Sequence, residues 1–271
     1  MNFGDIETRG LVLLGCGKMG SAMLEGWLAG GLPPTSVWVI DPAPSNWLRS
    51  QSGVHINTDL PASPAIALVA VKPQMMGEAL PQMQALGGGA TLILSVAAGT
   101  PLARYEEVFG AGTPVIRAMP NTPAAIGKGI TALVGNAQAS EADMALAEAL
   151  LAAVGQTVRL SGEAQMDAVT AVSGSGPAYV FHLIETLAAA GAAEGLPPEL
   201  ALRLARATVA GAGALAEAAP EDPGQLRINV TSPKGTTEAA LKVLMDEKTG
   251  FPTLLRRAVK AAADRSRELA K

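Results

Sequence analysis

The chain has 271 residues, room for about two domains at roughly 100–200 residues each, and is 49% apolar and 16% charged. That balance supports a sizeable core and excludes a disordered or purely solvated protein. A net charge of −4 argues against a nucleic-acid partner, and one cysteine with two histidines excludes an intramolecular disulfide and an ordinary Cys/His zinc site.

No apolar run reaches the roughly 18 residues of a membrane span. Ala65–Val71 stops at Lys72, and the run 91–103 stops at Arg104. Asp5 and Glu7 precede the short apolar run Leu11–Leu14, where a secretory signal would carry basic residues. The expectation is a soluble cytoplasmic protein with no membrane contact and no metal. Aromatic residues make up only 3%, so alanine, leucine and valine must fill the core.

The first half alternates. Strand-like runs fall at Leu11–Leu14, Val37–Ile40, Ala65–Val71, Thr91–Ser95, Val115–Ala118, Ile130–Val134 and Thr157–Leu160. Helical stretches lie between many of them, among them Ser21–Ala29 and Ala142–Ala153, the latter with Ser140 and Asp143 in a capping-box pattern. Continuously apolar strands joined by helices predict a parallel sheet covered on both faces.

Strand signals stop near Gly162. Helices are predicted over Ala164–Val172, Ala178–Gly195, Pro198–Ala218, Gly235–Glu247 and Pro252–Ala270. The fold class is therefore α/β: a Rossmann-type dinucleotide-binding domain over residues 1–162, then an all-α domain over 163–271. Leu183, Leu187 and Ala190 recur at helical spacing, so that domain either pairs with a second copy or packs on the first domain.

Gly15-Cys16-Gly17-Lys18-Met19-Gly20 directly follows the first strand and opens a helix. In such a G-x-G-x-x-G the first glycine permits the tight turn, the second admits pyrophosphate to the backbone, and the third lets helix and strand pack closely. The helix N-terminus offers free N–H groups and partial positive charge to the phosphates. Asp41 ends the second strand about twenty residues later, the place of an acidic ribose ligand. Either it binds both ribose hydroxyls and repels a 2′-phosphate, favouring NADH over NADPH, or it merely starts the Asp-Pro turn. No basic residue follows until Arg49.

Three further strand ends carry unusual sequence. Ala70-Val71-Lys72-Pro73-Gln74 lies where a cofactor would cross the carboxyl edge of the sheet. Ser95-Val96-Ala97-Ala98-Gly99 has small residues that leave room for a flat ring, and the 117–123 segment holds polar groups between two prolines. Together they suggest one cleft. In the helical half, Ser173-Gly174-Ser175-Gly176-Pro177 breaks one helix and starts another. Ser232-Pro233-Lys234-Gly235-Thr236-Thr237 precedes a helix and gathers hydroxyls and N–H groups, either as an anion site for a small carboxylate or as an ordinary N-cap. Cys16, at a helix N-terminus, has either a lowered pKa and a redox role or serves as a spacer in the loop. His55 and His182 read as surface or packing residues.

Together these stretches resemble the pyrroline-5-carboxylate reductase family nearly end to end, most specifically through Thr231–Thr237 and its flanks. The resemblance implies hydride transfer from NAD(P)H to the C=N carbon of 1-pyrroline-5-carboxylate, giving L-proline. It further implies that Gly15, Gly17, Lys18, Met19 and Gly20 cradle the pyrophosphate, Asp41 the ribose and Asn57 the adenosine end. Ala70, Val71, Lys72, Pro73, Ala97 and Ala98 would then line the nicotinamide half. Ser232, Gly235, Thr236 and Thr237 would bind the substrate carboxylate, with the catalytic Thr237 hydroxyl near the imine nitrogen. It implies a homodimer or higher homo-oligomer through the helical domain, with the Thr237 segment reaching a partner's cleft. One departure is Lys234, where the family commonly has glycine.

Overall fold

The computed structural model describes residues 3–269. Eight strands form one sheet: β1 Leu11–Leu14, β2 Val37–Ile40, β3 His55–Ile56, β4 Ile66–Val69, β5 Leu92–Ser95, β6 Val115–Met119, β7 Gly129–Gly135 and β8 Gly155–Arg159. Their spatial order is β3-β2-β1-β4-β5-β6-β7-β8. β1, β4 and β5 are buried at every position, which is why their sequences run continuously apolar instead of alternating.

Successive side chains point to opposite faces. Leu11 and Leu13 join Met23, Leu24 and Trp27 in one core layer, while Val12 and Leu14 join Tyr105 and Phe109 in the other. On the first face the helix Lys18–Ala29 is tied to the helix Glu141–Leu151, since the Trp27 indole Nε1–H donates to the Leu150 carbonyl at 2.9 Å. The expected capping box closes that second helix: Ser140 accepts from the Asp143 amide at 3.2 Å, and Asp143 accepts from the Ser140 amide at 2.8 Å.

The sheet departs from the all-parallel expectation at one place. β7 runs antiparallel to β6, then pairs parallel with β8. The cause is the short connector 120–128, which holds only a 3₁₀ turn at Thr122–Ile126. A parallel crossover needs about a dozen residues or more, so the chain can only fold back. The two-residue β3 was not anticipated; its His55 stacks on Trp38 with ring centroids 4.5 Å apart. At the opposite edge, Arg159 on β8 donates to Glu148 at 2.8 Å and pairs with Glu141.

Residues 3–174 with 263–269 form one compact unit, and 175–262 form a second. Against the expected division at 162/163, the segment 163–174 folds with the sheet. Glu163 pairs with Arg117 at 2.8 Å, and Asp167 accepts from the Ser266 hydroxyl at 2.6 Å. The helix expected over Ala164–Val172 is broken into a 3₁₀ turn, a short α-turn Met166–Val169 and a π-turn Thr170–Gly174. The Thr170 and Ser173 hydroxyls donate to the carbonyls of Met166 and Val169, at 2.9 and 3.1 Å, and so widen the turn.

The second unit contains the helices Gly176–Ala193, Pro198–Ala218, Pro223–Asn229 and Thr236–Leu244, and most of Phe251–Leu269. Positions 1, 2, 270 and 271 of the expected domains lie outside the described residues. Pro223–Asn229 was not expected, although Asp222-Pro223 signals it: the Asp222 side chain accepts from the amides of Gly224 and Gln225. Among the described residues of this unit only Ala201 and Ala205 are buried apolar side chains, whereas Phe181, Leu187, Leu204 and Leu215 stand exposed. No helix of the described residues is long and apolar enough to cross a membrane.

Candidate active site

Gly15 turns with φ +88°, and its amide donates to the Ile40 carbonyl at 2.8 Å, so the loop leaves β1 against the end of β2. A Cβ on Gly20 would lie 2.3 Å from the Gly15 carbonyl oxygen, which fixes that position as glycine. A Cβ on Gly17 would meet nothing within 4 Å. Gly17 is also the N-cap of the helix Lys18–Ala29, with no side chain capping it. The helix therefore starts with N–H groups that no side chain caps, the chemistry a pyrophosphate site uses. Lys18 is exposed, and Met19 packs against the core.

Asp41 lies directly beside this loop. One carboxylate oxygen accepts from the Cys16 amide at 2.7 Å and the other from the Ala43 amide at 2.8 Å. Asp41 thus starts its own turn and also reaches the glycine loop. Each oxygen keeps a lone pair for a further donor. Asn57, with φ +53°, holds Asp41 from the other side: its amide oxygen accepts from the Asp41 N–H at 2.9 Å, and its NH₂ donates to the Asp41 carbonyl at 2.8 Å. Arg49 donates to the Pro44 carbonyl at 3.1 Å.

Ala70 continues from β4, its amide donating to the Leu14 carbonyl at 2.8 Å. A Cβ on Gly15 would lie 2.8 Å from Val71, so the structure brings the glycine loop, Asp41, Asn57, Ala70 and Val71 together. Lys72 and Pro73 are exposed just beyond. Ala97 and Ala98 follow β5, the next strand, with Ala97 buried and Ala98 half-buried. The third expected strand end is partly different. Arg117 lies inside β6, buried and paired with Glu163, while the Asn121 side chain accepts from the Ile130 amide at 3.0 Å.

In the second unit, Gly235 is the N-cap of the helix Thr236–Leu244 and no side chain caps it. Ser232 and Thr236 are exposed; Gly235 and Thr237 are half-buried.

A family model described as pyrroline-5-carboxylate reductase dimerisation matches residues 163–269, and one described as NADP oxidoreductase coenzyme F420-dependent matches residues 10–99. The pyrroline-5-carboxylate reductase of Pseudomonas aeruginosa is 39% identical over 270 residues, spanning 98% of this chain and 98% of the relative. The chain belongs to the pyrroline-5-carboxylate reductase family. Among solved structures, a pyrroline-5-carboxylate reductase from Coxiella burnetii superposes with a TM-score of 0.90 at 32% identity, covering 97% of this chain and 99% of that one. A Plasmodium falciparum pyrroline carboxylate reductase with NADP bound gives 0.83 at 28% identity, covering 98% and 99%. The reductase is an NAD(P)H-dependent oxidoreductase acting on a C=N bond, and it forms homo-oligomers.

Two details of the reductase follow from backbone conformation and burial. Lys234 adopts φ +58°, a left-handed conformation that favours glycine. Its amide donates to the Glu238 carboxylate, and that bond together with the Lys242 ammonium at 3.0 Å holds the Glu238 carboxyl below the usual carboxylate range. Lys234→Gly removes a left-handed penalty of about 1–2 kcal/mol and gives back part of it as chain entropy in the unfolded state. A net gain of about 0.5–1 kcal/mol is expected in urea unfolding, with the amide-to-Glu238 bond retained.

Of the two readings of Cys16, the structure supports the spacer. The helix N-terminus does not lower its pKa; burial, and then the Asp41 carboxylate, push the thiol up to about 11. It stays protonated near neutral pH and serves as a spacer. His182 is exposed beside Glu185, at 3.0 Å.

Proposed function

We propose that this reductase prefers NADH, with Asp41 as the selecting residue, and that the loop Gly15–Gly20 and the segment Ser232–Thr237 hold the two reactants. The reaction is reduction of the C=N bond of 1-pyrroline-5-carboxylate to L-proline, the last step of proline synthesis. When bound, the dinucleotide supplies a hydride from its reduced nicotinamide. A protonated cyclic imine is already a strong electrophile, so the chain is needed chiefly to position the reactants and to exclude water.

Gly15, Gly17, Lys18, Met19 and Gly20 receive the pyrophosphate, largely through backbone N–H groups at an uncapped helix start. Asp41 accepts from the ribose hydroxyls, and Asn57 sets its backbone at the adenosine end. Ala70, Val71, Lys72, Pro73, Ala97 and Ala98 line the nicotinamide half. Ser232, Gly235, Thr236 and Thr237 take the substrate carboxylate, and the Thr237 hydroxyl hydrogen-bonds the imine nitrogen. That segment acts in the cleft of a partner subunit. The single buried cysteine supports a cytoplasmic enzyme with no need of disulfides.

The observation that carries the cofactor preference is the Asp41 carboxylate, held at the glycine loop by the Cys16 and Ala43 amides with acceptor capacity to spare. A 2′-phosphate placed there meets like charge, and each factor of ten in kcat/KM needs only about 1.4 kcal/mol. The expected result is a kcat/KM for NADH at least about tenfold above that for NADPH, narrowed or inverted in Asp41→Ser. A wild-type enzyme that favours NADPH removes Asp41 from this role.

A further inference from the structure

Tyr105 is fully buried in the helix Leu102–Phe109. Its hydroxyl lies 2.5 Å from the Ser95 hydroxyl, at the last residue of β5. Ser95 and Thr100 bracket the turn that contains Ala97 and Ala98. The Ser95 oxygen also accepts from the Ala97 amide at 3.2 Å, so the same hydroxyl pair reaches inside the turn. Gly99 passes through φ +75° on the way to Thr100.

We propose that Tyr105 is a positioning residue for hydride transfer: its hydroxyl holds the Ser95 hydroxyl, which in turn accepts from the Ala97 amide, and so fixes the wall against which the nicotinamide rests. This rests on the reading that Ala97 and Ala98 line the nicotinamide half. A turn of small residues has no side chains large enough to lock itself by packing, so its shape must be set from behind. Tyr105 does this from a dry position, where a hydroxyl pair is stronger than in water and costly to leave half-made. Burial pushes the Tyr105 hydroxyl above its ordinary pKa, so it remains a protonated donor through the working range. Arg117 and Glu163 back the same helix, since Glu163 accepts from both the Arg117 guanidinium and the Leu102 amide, each at 2.8 Å.

The test is Tyr105→Phe, which removes the hydroxyl and keeps the ring. The expected result is a fall in kcat of about tenfold with a larger primary isotope effect from dinucleotide deuterated at the transferred position, as the chemical step becomes slower. ADP-ribose, which lacks the nicotinamide, should bind the variant as tightly as wild type. Ser95→Ala should give the same pair of changes, and the double variant should be no worse than either single one. A lowered Tm with kcat and isotope effect unchanged makes Tyr105 merely structural and overturns the proposal. If Tyr105→Phe does not fold, Ser95→Ala alone cuts the same hydroxyl pair and is read in the same way. Ala98→Leu separates the two levels: if it leaves the KM for dinucleotide unchanged, the nicotinamide assignment fails; if it raises that KM while Tyr105→Phe changes nothing, only the positioning role fails.

Discussion

Phe181→Asp is expected to yield a monomer with more than about 100-fold lower activity at assay concentrations, the loss that follows when a required partner is absent. Phe181 is 63% exposed on the helix Gly176–Ala193 and lines an apolar groove with Ile184, Ala188 and Leu202. The unit that contains it buries only Ala201 and Ala205 among its described apolar side chains, while large ones such as Leu187 and Leu204 remain in water. Exposed apolar area on that scale marks an association surface. In a two-fold interface each substitution occurs twice, and burying an unpaired carboxylate costs several kcal/mol, so the dissociation constant rises by orders of magnitude. Sedimentation velocity over a concentration series reads the assembly, and kcat at the same concentrations reads the dependence on it. A variant that stays assembled and active places the interface elsewhere.

Thr237→Ala should lower kcat/KM for the imine by about 10- to 100-fold, the loss of one aimed hydrogen bond of roughly 1.5–3 kcal/mol. Thr237 sits half-buried in the first turn of the helix Thr236–Leu244, whose N-terminus no side chain caps. Alanine has the better helix propensity there, so Tm should hold or rise and a kinetic loss cannot be blamed on unfolding. The loss should fall on the imine and leave the KM for dinucleotide unchanged. Thr237→Ser, which keeps the hydroxyl, should recover most of the rate. Kinetics close to wild type for Thr237→Ala would remove this hydroxyl from the reaction.

Much of the fold was legible because its signals are local. The apolar runs gave seven of the eight strands to within a few residues, and Pro198–Ala218 has the bounds its sequence predicts. The capping box at Ser140 and Asp143 and the tight glycine positions at Gly15 and Gly20 are likewise written in short spacings. What stayed hidden depends on distant partners or on connector length. The reversal of β7 follows from how little chain lies between Met119 and Gly129, a matter of geometry that hydropathy does not register. The two residues of β3 are too few for a periodicity. The Asp222-Pro223 signal is present but easily missed, because the helix after it is only one or two turns long.

In the site, residue types announced themselves where backbone chemistry demands glycine or an acid at fixed spacing. Asp41 could be picked out on that ground, yet its link to the Cys16 amide could not, being a contact between two strand ends. Tyr105 with Ser95 and Arg117 with Glu163 are pairs of ordinary residues made special only by burial next to each other. Lys234 shows the opposite case: a departure visible in sequence gained its physical meaning only from a positive φ.

The charged clasp at the outer strand has a consequence for how the molecule can and cannot stick to itself. Arg159, held by Glu141 and Glu148, loads the free rim of β8 with fixed charge, so another chain that docks there as a ninth strand must strip water from ions. Runaway fibre-like stacking is thereby discouraged at a rim where backbone donors and acceptors would otherwise invite it. Self-recognition is left to helices, whose finite grooves close on a fixed number of copies.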